Sequence, residues 1–249
     1  MIVKDLAGLI PAASILIGSI VGVKLKLSTT PRAVMLAVAA GLVSASVITD
    51  IVPTINESKQ SHARELFVML GIALGAAIML VLRRVEPDKK VCDPGDKVCE
   101  RTRKKEGFPL TLVVAIAVDM FVDGIVIGQG LHGKMSIGFI AAMTVEGLLV
   151  SSTIMNMVRD RGGAMKEYAM AFGIMAGSSL LGVFSGHWLG KKLGPVGKSG
   201  FMGAALSVVI WIVVMELMPE ALEQNDSWWV PAIWLTGMAG GIGLDWAIG

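Results

Sequence analysis

Two carboxylates stand four residues apart in the apolar stretch "AIAVDMFVDGIVIG", which covers residues 115–128. If this stretch is helical, Asp119 and Asp123 share one face, because residues four apart are neighbours on a helix surface. A third acid, Glu146, lies midway along the next apolar stretch, in "AAMTVEGLLVSSTI". A charged carboxylate inside a bilayer is costly unless it is paired or hydrated. Neither stretch contains Lys, Arg or His, so the pattern favours a bound cation; a protonated structural pair and partners that the sequence does not reveal are the alternatives.

The composition indicates that these acids lie in a membrane protein. Of the 249 residues, 54% are hydrophobic and the mean hydropathy is +0.70. Only 17% are charged, whereas soluble domains average about 25%. The 30 glycines fit a bundle of membrane helices, because small residues allow such helices to approach closely.

Eight apolar segments are long enough to cross a bilayer, which takes about 20 helical residues. They cover roughly residues 6–23, 31–55, 66–82, 108–131, 135–158, 168–189, 200–222 and 228–248. A charged segment, residues 83–107, separates the first three spans from the last five. We therefore predict an all-α polytopic membrane protein with eight transmembrane helices in a single domain, residues 1–249.

The distribution of Lys and Arg predicts the orientation, because cytoplasmic loops carry an excess of these residues. Fifteen of them lie on the side that holds residues 83–107, and seven lie on the other side. Residues 83–107 are therefore expected to be a cytoplasmic loop, with both termini outside. The expected location is the inner membrane of a prokaryotic cell. Cys92 and Cys99 in this loop are then reduced thiols, either in an ordinary loop or as soft-metal ligands.

Two spans end alike. Span two ends with "SVITDIVPTINE" and span seven with "VVMELMPEALE", so Asp50 matches Glu216 and Pro53 matches Pro219. These two spans must cross the membrane in opposite directions. We therefore predict a 3+2+3 arrangement in which the first and last three spans are inverted repeats; a coincidence between two helix ends is the alternative. Inverted repeats are typical of transporters, whose sites lie near the bilayer midplane.

In these features the chain resembles the ZIP family of divalent metal transporters. That family has a His-Asn-x-Pro-Glu-Gly type motif in span four and a His-x-x-Pro-Glu-Gly type motif in span five, where this chain has "DMFVDG" and "AMTVEG". The resemblance extends to the eight spans, the long loop after span three, "ELMPEA" in span seven and "AAGLVSASVITDIVP" in span two. It implies transport of a divalent cation through a site between spans four and five.

The chain departs from the ZIP motifs at most ligand positions. Asp119 stands in place of the motif His, Met120 in place of Asn and Asp123 in place of Glu. In span five, Met143 lies three residues before Glu146, the one motif acid that is kept, and valines replace both motif prolines. The expected ligands are therefore Asp119, Asp123 and Glu146, with the two methionines either as thioether ligands or as packing residues.

This ligand set predicts the type of cation. Carboxylates suit hard ions such as Mg²⁺, Ca²⁺ and Mn²⁺, whereas thioethers suit soft ones. The candidate cargoes are Mn²⁺, Zn²⁺, Fe²⁺, Mg²⁺ and Cd²⁺, and no organic cofactor is expected. The sequence has no ATP-binding loop, so we expect transport without hydrolysis.

Further polar residues are candidates for the transport path. Asp50 and Glu216 are candidate gating residues, and Glu220 begins an acidic group after span seven that is either a cytoplasmic exit or a solvated helix end. Ser151 and Asn156 on span five either line the inner half of the path or pack between helices.

Two other classes of protein remain open. One is a ZIP-fold carrier or sensor that no longer moves transition metals and acts on protons or an organic substrate. The other is an intramembrane aspartyl protease, but acids on one helix turn make a poor dyad, so we predict that the chain is not an enzyme. The expected partners are the lipid bilayer and metal ions, with no nucleic acid; glycine-rich faces such as "GIALGAAIML" pack within the monomer or in a homodimer.

Overall fold

The computed structural model describes residues 9–57, 62–85, 108, 110–130 and 137–248. Of these residues, 92% are helical and none lies in a β-strand. The prediction of an all-helical protein is therefore confirmed. Cys92, Cys99 and the rest of residues 86–107 lie outside the described residues, so the role and location of that loop stay predictions.

The helices form eight rods in the described part of the chain. In chain order they are α1 (Ile10–Lys24), α2 (Thr29–Ser46), α3 (Val52–Glu57), α4 (His62–Val85), α5 (Leu110–Gly130), α6 (Ile137–Asp160), α7 (Met165–Lys192), α8 (Pro195–Ile212), α9 (Met218–Gln224) and α10 (Trp229–Ile248). A π-helical turn joins α2 to α3, and another joins α8 to α9, so each of these pairs is one continuous rod. Each rod overlaps one of the eight predicted segments.

The two π-helical turns have the same local cause. Val47–Ile51 is followed by Pro53, and Val213–Leu217 is followed by Pro219. Proline has no N–H and its ring crowds the carbonyl four residues earlier, which breaks the regular α-helical hydrogen bonding. A wider turn before the proline relieves that crowding while the helix continues. The acid-x-x-Pro pattern seen in the sequence thus marks a structural feature at both positions.

Six helices in the described residues are long and apolar enough to cross a membrane. They are Thr29–Asn56, His62–Arg84, Leu112–Gln129, Ile137–Asp160, Met165–Leu189 and Val196–Gln224. The apolar helix α1, with 15 residues, is shorter, and α10 is not among the six. By length and composition the chain is thus an α-helical integral membrane protein. The helix within Leu112–Gln129 is 78% buried inside the protein, whereas that within His62–Arg84 is 17% buried, so α5 is central and α4 peripheral.

Four close helix pairs build the protein: α1 with α6, α2 with α10, α4 with α8 and α5 with α7. Glycine lies at each of these interfaces. A Cβ atom on Gly75 of α4, for example, would stand 2.6 Å from the carbonyl oxygen of Ala204 on α8. Membrane helices lack a hydrophobic driving force between them, so close backbone approach at small residues supplies the packing. The glycine-rich face of "GIALGAAIML" is therefore used within the chain, and a homodimer stays a prediction.

We group the four pairs into two bundles, because α1 and α6 both contact α7 while the rods that contain α2 and α8 contact each other. Bundle A consists of α1, α5, α6 and α7, and bundle B consists of α2, α4, α8 and α10. The bundles meet where α6 packs against α2 and α10, and where α5 packs against α8. Helix α6 is therefore the main link between them.

Candidate metal centre

Three carboxylates meet between α5 and α6, near the middle of the protein. Helix α5 supplies Asp119 and Asp123, and α6 supplies Glu146. One carboxylate oxygen from each of the three lies within 4.8 Å of the others. The exposed fractions of these residues are 1%, 7% and 0%. The structure thus brings together the three acids that the sequence singled out, in a cluster that is closed to solvent.

The oxygens of this carboxylate cluster lack the donors that buried acceptors normally have. Oδ1 of Asp119 and both Oε atoms of Glu146 are buried without a hydrogen-bond donor from the described residues. The Asp119 and Glu146 carboxyl groups are close enough to hydrogen-bond to each other when one of them carries a proton. Burying acceptors without partners is costly, and for ionised carboxylates a cation is the partner that satisfies several oxygens at once. The arrangement can therefore hold a cation or protons.

A glycine after an acid explains how each helix places its carboxylate. Gly124 follows Asp123 and lies against α7, where a Cβ atom would stand 2.9 Å from the backbone nitrogen of Val183. Gly147 follows Glu146 and lies against α1, where a Cβ atom would stand 2.8 Å from Oγ of Ser14. Each helix therefore packs tightly on its outer partner and turns its acid toward the space between α5 and α6.

The two methionines of the sequence motif have apolar surroundings. Met120 packs with Ile15, Ile116 and Ile154 in one core cluster. Met143 packs with Ile127 and Phe139 in another. Both side chains are buried, and this packing accounts for their presence. Thioether ligation remains a prediction, and the donor set that the geometry assembles consists of oxygen atoms.

Asp50 lies in the first π-helical turn and is half-buried. Oγ1 of Thr49 donates a hydrogen bond of 2.6 Å to Oδ2 of Asp50. Asp245 on α10 adds a second negative charge nearby, and it also lies beside Gly138 at the start of α6. Asp245 is not among the predicted site residues, although an acid in an apolar segment is a signal that the sequence carries. Asp50 and Asp245 together are named the acidic pair below.

Glu216 and Glu220 lie apart from the carboxylate cluster in the described structure. Glu216 is in the second π-helical turn and lines a small cavity with Arg83 and Trp211. Glu220 on α9 is 4% exposed and accepts a hydrogen bond of 3.0 Å from Nε2 of Gln224. It is therefore a buried, hydrogen-bonded residue rather than a solvated one, and a role in the path stays a prediction for both glutamates.

Ser151 and Asn156 are fully buried at the interface of α6 with α1. Oγ of Ser151 donates to the Gly147 carbonyl oxygen at 2.6 Å. Nδ2 of Asn156 donates to the Gly22 carbonyl oxygen at 2.9 Å. These contacts favour the packing role that the sequence left open, and the alternative role in the path stays a prediction.

Fold and site together define a helical membrane protein with a buried cluster of three carboxylates on two neighbouring helices, in which Oδ1 of Asp119 and both oxygens of Glu146 accept no hydrogen bond from the described residues. No protein-family model matches the sequence, and no curated protein has a sequence significantly similar to it. Any functional conclusion therefore depends on the residues and their geometry.

Proposed function

We propose that the protein is a ZIP-like carrier that moves divalent cations across the membrane through the carboxylate cluster of Asp119, Asp123 and Glu146. The observation that carries the proposal is the set of buried acidic oxygens that accept no hydrogen bond from the part of the chain that the structure describes. A buried ionised group is retained in a membrane where it binds or conducts an ion. The resemblance to the ZIP motifs supports a site between spans four and five, as in that family.

The proposal includes eight membrane-spanning rods in a 3+2+3 arrangement with inverted repeats. The helix pairing supports this arrangement. An inverted repeat makes α1 equivalent to α7, α2 to α8, α4 to α10 and α5 to α6. Under this equivalence the α1–α6 pair corresponds to the α5–α7 pair, and the α2–α10 pair corresponds to the α4–α8 pair. The two π-helical turns occupy matching places in this exchange.

Glycine positions give independent support for the repeat. The separation along the chain that relates Asp50 to Glu216 also relates Gly71 to Gly237 and Gly75 to Gly241. Both glycine pairs lie on the equivalent helices α4 and α10 and face their partners α8 and α2. A coincidence between two helix ends does not account for matched glycines on a second helix.

The donor atoms favour hard cations as cargo. Three carboxylates supply oxygen ligands, which suit Mn²⁺, Mg²⁺ and Ca²⁺ better than Zn²⁺ or Cd²⁺. The histidines that would draw the preference toward Zn²⁺ are absent from the motif positions. Among the candidate cargoes we therefore place Mn²⁺ and Mg²⁺ ahead of Zn²⁺, Fe²⁺ and Cd²⁺.

The proposed path begins at the acidic pair. Glu146 is eight residues beyond Gly138, which is about 12 Å along α6 at the helical rise per residue. A cation attracted by Asp50 and Asp245 thus reaches the carboxylate cluster after crossing roughly a third of the bilayer. Movement of bundle A against bundle B then opens the cluster to the other side, as in alternating access. With residues 83–107 in the cytoplasm, the acidic pair faces outward.

Uptake into liposomes tests the proposed function. The purified protein is reconstituted and supplied with Mn²⁺, Mg²⁺, Ca²⁺, Zn²⁺, Fe²⁺ or Cd²⁺, and Asp123→Asn is compared with Glu65→Gln. Glu65 is an acid with a side chain 58% exposed, so its substitution matches the charge change outside the cluster. We expect uptake that Asp123→Asn abolishes and Glu65→Gln preserves. If the folded protein neither binds nor transports any of these ions, the proposal is wrong and protons become the occupant of the cluster.

A further inference from the structure

The end of the protein at which α6 ends and α2 begins holds a second group of charges, in which a buried guanidinium contacts a more exposed carboxylate. Arg32 on α2 forms an ion pair with Asp160, the last residue of α6. The Arg32 side chain is 7% exposed, and that of Asp160 is 37% exposed. Nε and Nη2 of Arg32 also donate to the Leu27 carbonyl oxygen, at 3.2 and 2.7 Å. The guanidinium is therefore held by one carboxylate and one carbonyl group in a place shielded from solvent.

Asn156 fixes the neighbouring connection between α1 and α2 to the same helix. Its Oδ1 accepts hydrogen bonds from the Leu27 backbone N–H, at 3.0 Å, and from Nη2 of Arg159, at 2.6 Å. Its Nδ2 donates to the Gly22 carbonyl oxygen. Because α1 and α6 both belong to bundle A, these bonds can persist when bundle A moves as a unit.

The Arg32–Asp160 ion pair differs, because it joins the two bundles. Arg32 belongs to α2 of bundle B, and Asp160 belongs to α6 of bundle A, the helix that also carries Glu146. A rotation or translation of α6 past α2 separates the two charges. Glu146 is 14 residues before Asp160, about 21 Å along α6, so the ion pair lies at the end of the protein opposite to the acidic pair.

We infer that the Arg32–Asp160 ion pair is a latch that closes the carboxylate cluster from this end of the protein, and that it separates each time the cluster opens there. The inference rests on the proposed function, in which bundle A moves against bundle B. Arg32 and Asp160 are positioning residues in this scheme, because neither contacts the cluster. A contact that exists in only one of two states stabilises that state, so removal of the ion pair should raise the population in which the cluster is open at this end.

Access of a thiol reagent to the cluster tests the latch without any need for transport. In a background with Cys92→Ser and Cys99→Ser, Asp123→Cys introduces a reporter thiol at the cluster. A membrane-impermeant, cationic methanethiosulfonate is applied from one side of the proteoliposomes at a time. A separate variant, Lys166→Cys, identifies the side, because Lys166 is exposed at the Arg32 end of the protein.

We expect Arg32→Gln to raise the rate of modification of the reporter from the Arg32 end by about tenfold or more, because the partly buried contact that joins α2 to α6 is removed and the open state becomes more populated. Lys166→Gln, which removes a positive charge at the same end, is the matched control and should leave the rate unchanged. Asp160→Asn should act as Arg32→Gln does, and the double variant should equal either single one, since both remove the same contact.

Three outcomes overturn the latch. One is an unchanged rate in Arg32→Gln. Another is an equal rise from both sides with a lower melting temperature, which indicates general loosening. The third is an additive effect in the double variant. Failure of wild-type cation uptake is a separate result, because the reporter assay measures access alone; the proposed function and the latch can therefore fail independently.

Discussion

Helix α6 contains two buried polar regions that differ in how their polar atoms are satisfied. Ser151, Ser152 and Asn156 are 0% exposed, and hydrogen bonds engage their side chains. Glu146, on the same helix and also 0% exposed, has no donor for either oxygen among the described residues. The residues of the two regions are equally buried, so the regions differ in whether their polar atoms have hydrogen-bond partners. The satisfied region holds α1 in place, whereas the unsatisfied region is where we propose that a cation binds.

The energetic consequences of the two regions should therefore be opposite. A satisfied polar group contributes stability, and its removal leaves its former partners unpaired. An unsatisfied ionised group reduces the stability of the cation-free protein, and neutralising it relieves that cost. Ligand binding and stability are thus expected to separate along a single helix.

The largest effect is expected for Glu146→Gln. The amide keeps the size of the side chain but removes one ionised ligand, so we expect cation affinity to fall by more than about 100-fold; loss of groups that merely orient a ligand already costs 10- to 100-fold. The melting temperature of the cation-free protein should stay equal or rise, because a buried charge is gone. Isothermal titration with Mn²⁺ and a thermal melt in detergent measure the two quantities. A variant that binds Mn²⁺ normally would show that Glu146 is not a ligand.

Asn156→Ala should produce the reverse pattern. The substitution leaves the Leu27 N–H and the Gly22 carbonyl group without their side-chain partner, and each unpaired buried group costs about 1–3 kcal/mol. We expect the free energy of unfolding in detergent to fall by about 2–3 kcal/mol, while the affinity of the folded protein for Mn²⁺ changes less than about threefold. Gln224→Ala, which removes a hydrogen bond to Glu220 on α9, is the control. A large loss of affinity would place Asn156 in the cation site and break the contrast.

The sequence revealed the unsatisfied region more readily than the satisfied one, for a physical reason. A carboxylate in an apolar run is costly wherever the helix packs, so Asp119, Asp123 and Glu146 stood out without knowledge of the fold. Apolar runs also predicted where the eight rods lie. Asp160, the partner of Arg32, is in contrast 128 residues away in the sequence. A basic residue near the start of a helix is expected to be a solvated charge. Its burial depends on where α6 ends, which only the packing determines.

The closely packed glycines have a smaller but distinct expected effect. Gly75→Ala places a Cβ atom 2.6 Å from the Ala204 carbonyl oxygen, so we expect a loss of about 1–2 kcal/mol in the free energy of unfolding through overpacking. The matched control is Gly173→Ala on α7, where a Cβ atom has nothing within 4 Å and should be neutral or slightly stabilising, since Ala has the higher helix propensity. Thermal melts of the two variants, run under the same conditions, show whether only Gly75→Ala lowers the stability. Equal behaviour would mean that α4 and α8 are not this close.

Ser151→Ala should have the smallest effect, and it tests whether the satisfied region also lines the transport path. Oγ of Ser151 donates to the carbonyl groups of Gly147 and Leu148, which belong to its own helix, and those carbonyl groups keep their backbone partners when the hydroxyl is removed. We therefore expect a change in the free energy of unfolding within about 0.5 kcal/mol and an unchanged rate of Mn²⁺ uptake. Glu146→Gln, measured in the same type of liposomes, is the control for which we expect uptake to be lost. If Ser151→Ala slows uptake without altering stability, the hydroxyl contacts the moving cation, and the path includes the satisfied half of α6 after all.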